Sequence, residues 1–147
     1  MSNEGIFDLL LVENNPHDAE LILHAFRKSN IVNPVFVAED GQEALDFIFR
    51  CGIHAGRQEE KLPRAVLLDL KLPKASGLDV LKAIKSDERT KSIPVIILTS
   101  SGEDSDIKAA YELGANSYVV KPVEFNAFIG ALRNLGFYWL FLNESPH

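Results

Sequence analysis

At 147 residues the chain has the length of one domain around one core, and its 46% hydrophobic content is enough to fold it. No apolar run approaches the roughly 20 residues that a membrane helix needs, and a formal net charge of -6 argues against a nucleic-acid surface, which needs a basic face. The single cysteine, Cys51, cannot close an internal disulfide, so a reducing cytoplasm is the simplest setting.

Met1 to Gly5 is polar and acidic and lacks the basic start and cleavage site of a secretion signal. Phe7 to Val12 is a nearly continuous apolar run, as expected of a strand buried on both faces of a parallel sheet. Asn15-Pro16 then opens a helix, with proline where a missing N–H does no harm. Ala19, Ile22, Leu23 and Phe26 give that helix one buried stripe, and Arg27-Lys28 suits its negative end. Pro34 to Ala38 reads as a second strand. After the turn at Asp40-Gly41, Ala44, Leu45, Ile48 and Phe49 stripe a second helix, with Gly52 as its stop. Residues 53–63 form a polar connection, long for such a unit.

Ala65 to Leu70 is the third strand, and Leu78, Leu81 and Ile84 mark a helix after Ser76-Gly77. Pro94 to Leu98 is the fourth strand. Ile107, Ala110, Tyr111 and Leu113 mark a helix stopped by Gly114. Ser117 to Val120 is a short fifth strand, and Phe125, Phe128, Ile129 and Leu132 stripe a fifth helix. Five strand–helix units in series imply an α/β fold: a doubly wound, five-stranded parallel sheet with helices on both faces. Ligands in such sheets bind beyond the C-terminal strand ends.

Those ends carry the chemistry. Glu13-Asn14 follows the first strand, Asp69 the third, Thr99-Ser100 the fourth and Lys121-Pro122 the fifth. Asp69 is a candidate nucleophile, because a carboxylate can carry a phosphoryl group as an acyl phosphate. What remains is positioning and neutralisation of charge. The oxygens of Glu13, Asn14, Asp69 and the Lys71 backbone carbonyl suit a hard cation such as Mg²⁺. Lys121 offers an ammonium to a phosphoryl oxygen, Thr99 a hydroxyl, and Ser100 an N–H or hydroxyl. Taken singly, each residue has a structural reading as a cap, a turn or a surface side chain.

In this order, the runs Leu11-Val12-Glu13-Asn14-Asn15-Pro16, Leu67-Leu68-Asp69-Leu70-Lys71-Leu72-Pro73, Leu98-Thr99-Ser100 and Tyr118-Val119-Val120-Lys121-Pro122 resemble the receiver domain of bacterial response regulators over about residues 6–134. The resemblance implies a flavodoxin-like strand order 2-1-3-4-5, Mg²⁺, and phosphoryl transfer to Asp69 from a phosphohistidine on a sensor histidine kinase or phosphotransfer protein. It implies that Thr99 and Tyr118 form the switch, that Lys71 and Ser101 tune access of water, and that Lys121-Pro122 is a cis pair at the edge of the site. Such a protein is a phosphoacceptor that assists its own chemistry, not an enzyme acting on a separate substrate. Receivers usually place two acids after the first strand; here the second is Asn14, which removes one negative charge from the metal site.

One receiver domain over 1–147 is expected, with 135–147 as an apolar extension of the last helix. Phe137, Trp139 and Phe141 in that extension are interface candidates, for a homodimer or for docking to a kinase. The extension and the 53–63 loop resemble the small regulators paired with phytochrome-type kinases. One other reading stays open. Asn14 would suit a degenerate receiver that binds partners without phosphorylation. A flavin-binding protein shares the sheet order but needs a phosphate-cradling loop where Glu13-Asn14 is acidic. His17, His24, His54 and His147 lack metal-ligand spacing.

Overall fold

The computed structural model describes residues 8–28, 33–49, 62–121, 126 and 130. Its elements alternate: β1 Leu9–Val12, α1 Pro16–Lys28, β2 Val35–Ala38, α2 Gly41–Phe49, β3 Ala65–Leu68, α3 Gly77–Ser86, β4 Val95–Thr99, α4 Asp104–Glu112 and β5 Ser117–Val120. The five strands form one parallel sheet in the order β2-β1-β3-β4-β5, as expected. The fifth helix lies outside the described residues, except for helical Asn126 and Gly130. So do Cys51, His54, most of the 53–63 loop, Pro122, Phe137, Trp139, Phe141 and His147.

The three central strands are apolar at every position but Thr99, the last of β4, because both faces of the sheet are covered. Leu10, Val12, Val66, Leu68, Val95 and Ile97 face one core with Phe47, Ile48, Val80, Leu81 and Ile84 of α2 and α3. Leu9, Leu11, Ala65, Leu67, Ile96 and Leu98 face the other, under Ala19, Ile22, Ala25 and Phe26 of α1. This alternation is the period-2 geometry of a strand. The outer strands β2 and β5 are only partly buried. Phe36 of β2 stacks on Phe47 of α2, with ring centroids 4.3 Å apart. Among the described residues, no helix is long and apolar enough to cross a membrane.

The N-terminal ends of β4 and β5 are tied together. Asn116 Oδ1 accepts the Val95 N–H at 2.9 Å. Lys85 Nζ donates to the Ile93 carbonyl at 2.7 Å and to the Lys91 carbonyl at 3.1 Å. Thr90 Oγ1 donates to the Ile84 carbonyl at 2.6 Å, satisfying a carbonyl in the last turn of α3.

Several strand limits differ from expectation: β1 begins at Leu9, later than the run from Phe7, and β2 at Val35, one residue after Pro34. β3 stops at Leu68, not Leu70, because the chain turns at Asp69, whose carboxylate accepts the Lys71 N–H. β4 runs Val95–Thr99 instead of Pro94–Leu98: proline has no N–H for the ladder, while Thr99 still pairs with Val120.

Candidate functional site

Register assembles the site. Val12 is aligned with Leu68, so Glu13 and Asp69 emerge side by side one residue later. Thr99 is aligned with Val120, so Lys121 leaves β5 just beyond Thr99, its N–H donating to the Thr99 carbonyl at 2.7 Å. The backbone fastens both acids: the Glu13 N–H donates to Ala38 O at 2.9 Å and the Asp69 N–H to Val12 O at 3.1 Å. Gly77 opens α3 directly against this turn. A Cβ there would lie 2.2 Å from the Asp69 carbonyl oxygen, so the helix can start here only on glycine.

Lys121 is the hub. Its Nζ donates to Glu13 Oε1 at 2.6 Å, Asp18 Oδ2 at 2.9 Å and Asp69 Oδ2 at 3.0 Å. The Lys121, Glu13 and Asp69 side chains are 11%, 2% and 9% exposed, while Asp18 is more open at 31%. Burial pulls the ammonium towards the neutral form, but hydrogen bonds to Glu13, Asp18 and Asp69 outweigh it and hold Lys121 above the usual lysine range. Burial also raises the Glu13 carboxyl, and the Asp69 charge adds to this. Hydrogen bonds from Lys121 and the Asn15 N–H oppose it without cancelling it.

Asp69 Oδ1 accepts the Lys71 N–H at 3.1 Å, which holds the exposed Lys71 at the carboxylate's flank. Thr99 is fully buried and Ser100 exposed. Asn14 is exposed at the rim, and its Nδ2 donates to the Glu39 carbonyl at 3.2 Å. Ser101 is buried. Its hydroxyl donates to Asp106 Oδ2 on the first turn of α4, and its carbonyl accepts the Tyr118 hydroxyl at 2.8 Å. Burial pushes the Tyr118 phenol up, with the carboxylates of Asp106, Asp69 and Glu103 adding to the shift. Tyr118 is half-buried against the core on the α2/α3 side.

The response regulator receiver domain pattern matches residues 9–133. The chain belongs to the response regulator receiver family. It is a receiver of two-component signalling, and several relatives span nearly its whole length. The probable methanogenesis regulatory protein FilR2 of Methanothrix harundinacea (strain 6Ac) is 41% identical, over 97% of this chain and 90% of its own. The bacteriophytochrome response regulator RtBRR superposes with a TM-score of 0.84 at 49% identity, over 96% of this receiver and 84% of that chain. The Mn²⁺-bound form of response regulator Rcp1 gives a TM-score of 0.76 at 32% identity, over 95% and 96%. Rcp1 is known in Synechocystis sp. (strain ATCC 27184 / PCC 6803 / Kazusa), whose sequence is 33% identical over 90% of this chain and 88% of its own.

The donor set of this receiver suits a hard divalent cation. Carboxylate oxygens of Glu13 and Asp69 converge beside the Lys71 segment, and they already surround a positive charge, the Lys121 ammonium. Among the described residues, no three His, Cys, Asp or Glu side chains form a ready-made cage. Mg²⁺ usually takes one or two carboxylates and keeps several waters.

Two participants escape the sequence motifs. Asp18 sits in the first turn of α1, where an acid is ordinary for the helix dipole. Its signal was only its place three residues after the cap, Asn15, whose Oδ1 accepts the His17 N–H at 2.8 Å and the Asp18 N–H at 3.2 Å. Asp106 likewise reads as an acid in the first turn of α4.

Proposed function

We propose that this receiver accepts a phosphoryl group on Asp69 from the phosphohistidine of a sensor histidine kinase or phosphotransfer protein, in a Mg²⁺-dependent reaction. The observation that carries the reading is the Asp69 carboxylate itself. It is nearly buried at a strand end, with one oxygen on Lys121 Nζ at 3.0 Å and the other on the Lys71 N–H at 3.1 Å. An acid is retained in such a place at a cost unless it is used.

In the transfer, an Asp69 carboxylate oxygen forms the new P–O bond as the P–N bond breaks. The electron pair leaves on the imidazole nitrogen, which takes up a proton. Lys121 would follow the developing negative charge on the phosphoryl oxygens, and the Thr99 hydroxyl would donate to another. Glu13, Asp69 and the Lys71 carbonyl would hold Mg²⁺, with Asn14 at the rim as a neutral donor. Mg²⁺ would supply neutralisation of phosphoryl charge. Water attacking phosphorus later returns the Asp69 carboxylate and inorganic phosphate. The protein thus assists its own turnover and is not an enzyme in the ordinary sense.

Output follows from the new charge of about -1.5 to -2 beside Thr99. A shift of Thr99 would carry the Ser101 segment, and with it the Tyr118 and Asp106 contacts, to the surface of α4 and β5. The readout is a changed protein-binding surface, and Phe137, Trp139 and Phe141 are candidates for a dimer or kinase contact. A cytoplasmic setting fits the single cysteine.

The test is uptake of beryllofluoride or acetyl phosphate with and without Mg²⁺, with Asp69→Asn as control. Mg²⁺-dependent modification lost in the control supports the reading. No uptake in either condition would leave the phosphorylation-independent binding module, which the exposed, backbone-bonded Asn14 favours.

A further inference from the structure

Lys121 has one more carboxylate partner than transfer at Asp69 requires. Glu13 and Asp69 leave two strand ends that register sets side by side. Asp18 comes from the first turn of α1, and its Oδ2 accepts from the same Nζ at 2.9 Å, within 0.3 Å of the Glu13 contact at 2.6 Å. The three contacts are not equivalent. Glu13 and Asp69 are sealed, whereas the Asp18 side chain is 31% exposed and can hold an ammonium facing water.

A cation entering between Glu13 and Asp69 meets an ammonium on both. Two positive charges cannot share those oxygens without repulsion, so the ammonium must withdraw to a partner the metal does not use. Charge gives a second reason. Asn14 removes one negative charge from the strand-end acids, and Asp18 returns one, so that the cluster with Lys121 carries two net negative charges instead of one. We propose that Asp18 is a positioning residue. It draws the Lys121 ammonium aside when the divalent cation occupies Glu13 and Asp69, and it supplies the negative charge that Asn14 lacks. This rests on the phosphoacceptor reading above.

Without Asp18 the ammonium would rest on Glu13 and Asp69 alone and compete harder with the metal. Loss of an outer-shell contact around a metal site typically costs 10–100-fold in metal affinity. Because Asp18 is partly solvated, about tenfold is expected, at the lower end of that range.

The experiment is calorimetric titration of Mn²⁺ into the full chain as wild type, Asp18→Asn, Asp18→Glu, Asn14→Asp and Asn14→Asp/Asp18→Asn, with thermal midpoints in EDTA alongside. The proposal expects about tenfold weaker Mn²⁺ binding in Asp18→Asn, largely recovered in Asp18→Glu and by the added Asn14→Asp. A role confined to the helix dipole would move the EDTA midpoint and leave Mn²⁺ affinity alone. Wild-type binding with unchanged affinity in Asp18→Asn overturns this proposal and spares the parent reading. Wild-type protein that takes up neither Mn²⁺ nor beryllofluoride overturns both.

Discussion

Replacing Lys121 with methionine keeps most of the apolar stem and removes the charge from among three carboxylates. Glu13 and Asp69 would then be buried and unpaired, and breaking a buried ion pair by removing one partner typically costs about 3–5 kcal/mol. The Asp18 contact adds little, because its carboxylate keeps water. Glu13 limits the loss: burial already raises its carboxyl, so it can take a proton and relieve the repulsion. The expected cost is therefore near the lower end, about 3 kcal/mol at pH 7 in EDTA. For a chain of this size that is roughly 6–12 °C in melting midpoint.

Added Mg²⁺ should reverse much of this loss, because the cation meets an empty acid pair instead of an ammonium. Stabilisation by a ligand is about 2.7 kcal/mol at 100 times its Kd, so the variant should gain more from a given Mg²⁺ concentration than the wild type. The pH dependence has a definite sign. Lys121 is held above its ordinary value, so its stabilisation is full below about pH 10.5 and fades as pH rises through the higher folded value. The gap between wild type and Lys121→Met should therefore narrow above that pH; the raised Tyr118 phenol is common to both proteins and cancels. Urea denaturation in EDTA, then in Mg²⁺, then at alkaline pH tests all three points. A variant within about 0.5 kcal/mol of wild type in EDTA, the usual scale for inconsequential surface changes, or an equal Mg²⁺ gain in both proteins, would refute the hub role of Lys121.

Gly77→Ala should cost about 2 kcal/mol or more, as overpacking typically costs 1–3, because its Cβ would collide with the Asp69 carbonyl; a denaturation curve matching wild type would contradict that close approach. Asp69→Asn should abolish formation of an acyl phosphate on incubation with acetyl phosphate and Mg²⁺, measured by intact mass, while leaving the fold intact by circular dichroism. Tyr118→Phe loses one hydrogen bond to Ser101, worth about 1 kcal/mol, and should keep beryllofluoride uptake while weakening phosphorylation-dependent partner capture. Leu67→Ala, in a strand sealed on both faces, should destabilise by about 2–5 kcal/mol in urea.

Much of this molecule could be read in the sequence because parallel sheets leave a plain trace. Leu9 to Val12, Ala65 to Leu68 and Val95 to Leu98 are continuous apolar runs because helices cover both faces. The acids and the lysine stood out because each ends such a run. Asp18 did not, since its role depends on the start of α1 lying beside a residue more than a hundred positions later. Ser101 reads as a loop residue, yet it is buried, because Asp106 and Tyr118 close over it from two separate elements. Asn14 was legible as an oxygen donor; its bond to Glu39 depends on β2 lying beside β1, which local sequence does not report.

The brace of Lys85, Asn116 and Thr90 gives the sheet a mechanical asymmetry. At one end, the Asn116 amide ties β5 to β4, and a half-buried ammonium and a hydroxyl fasten the segment before β4 to α3. At the other, β5 ends in the braced Lys121, while β4 runs into a loop held by single hydrogen bonds from Ser101 and Tyr118. A disturbance at the loose end cannot spread along the sheet as a slide, because the far end is anchored. It must be spent sideways, in the loop leading to α4. β4 behaves as a reed clamped at the base, and its freer tip is where a chemical event can be heard.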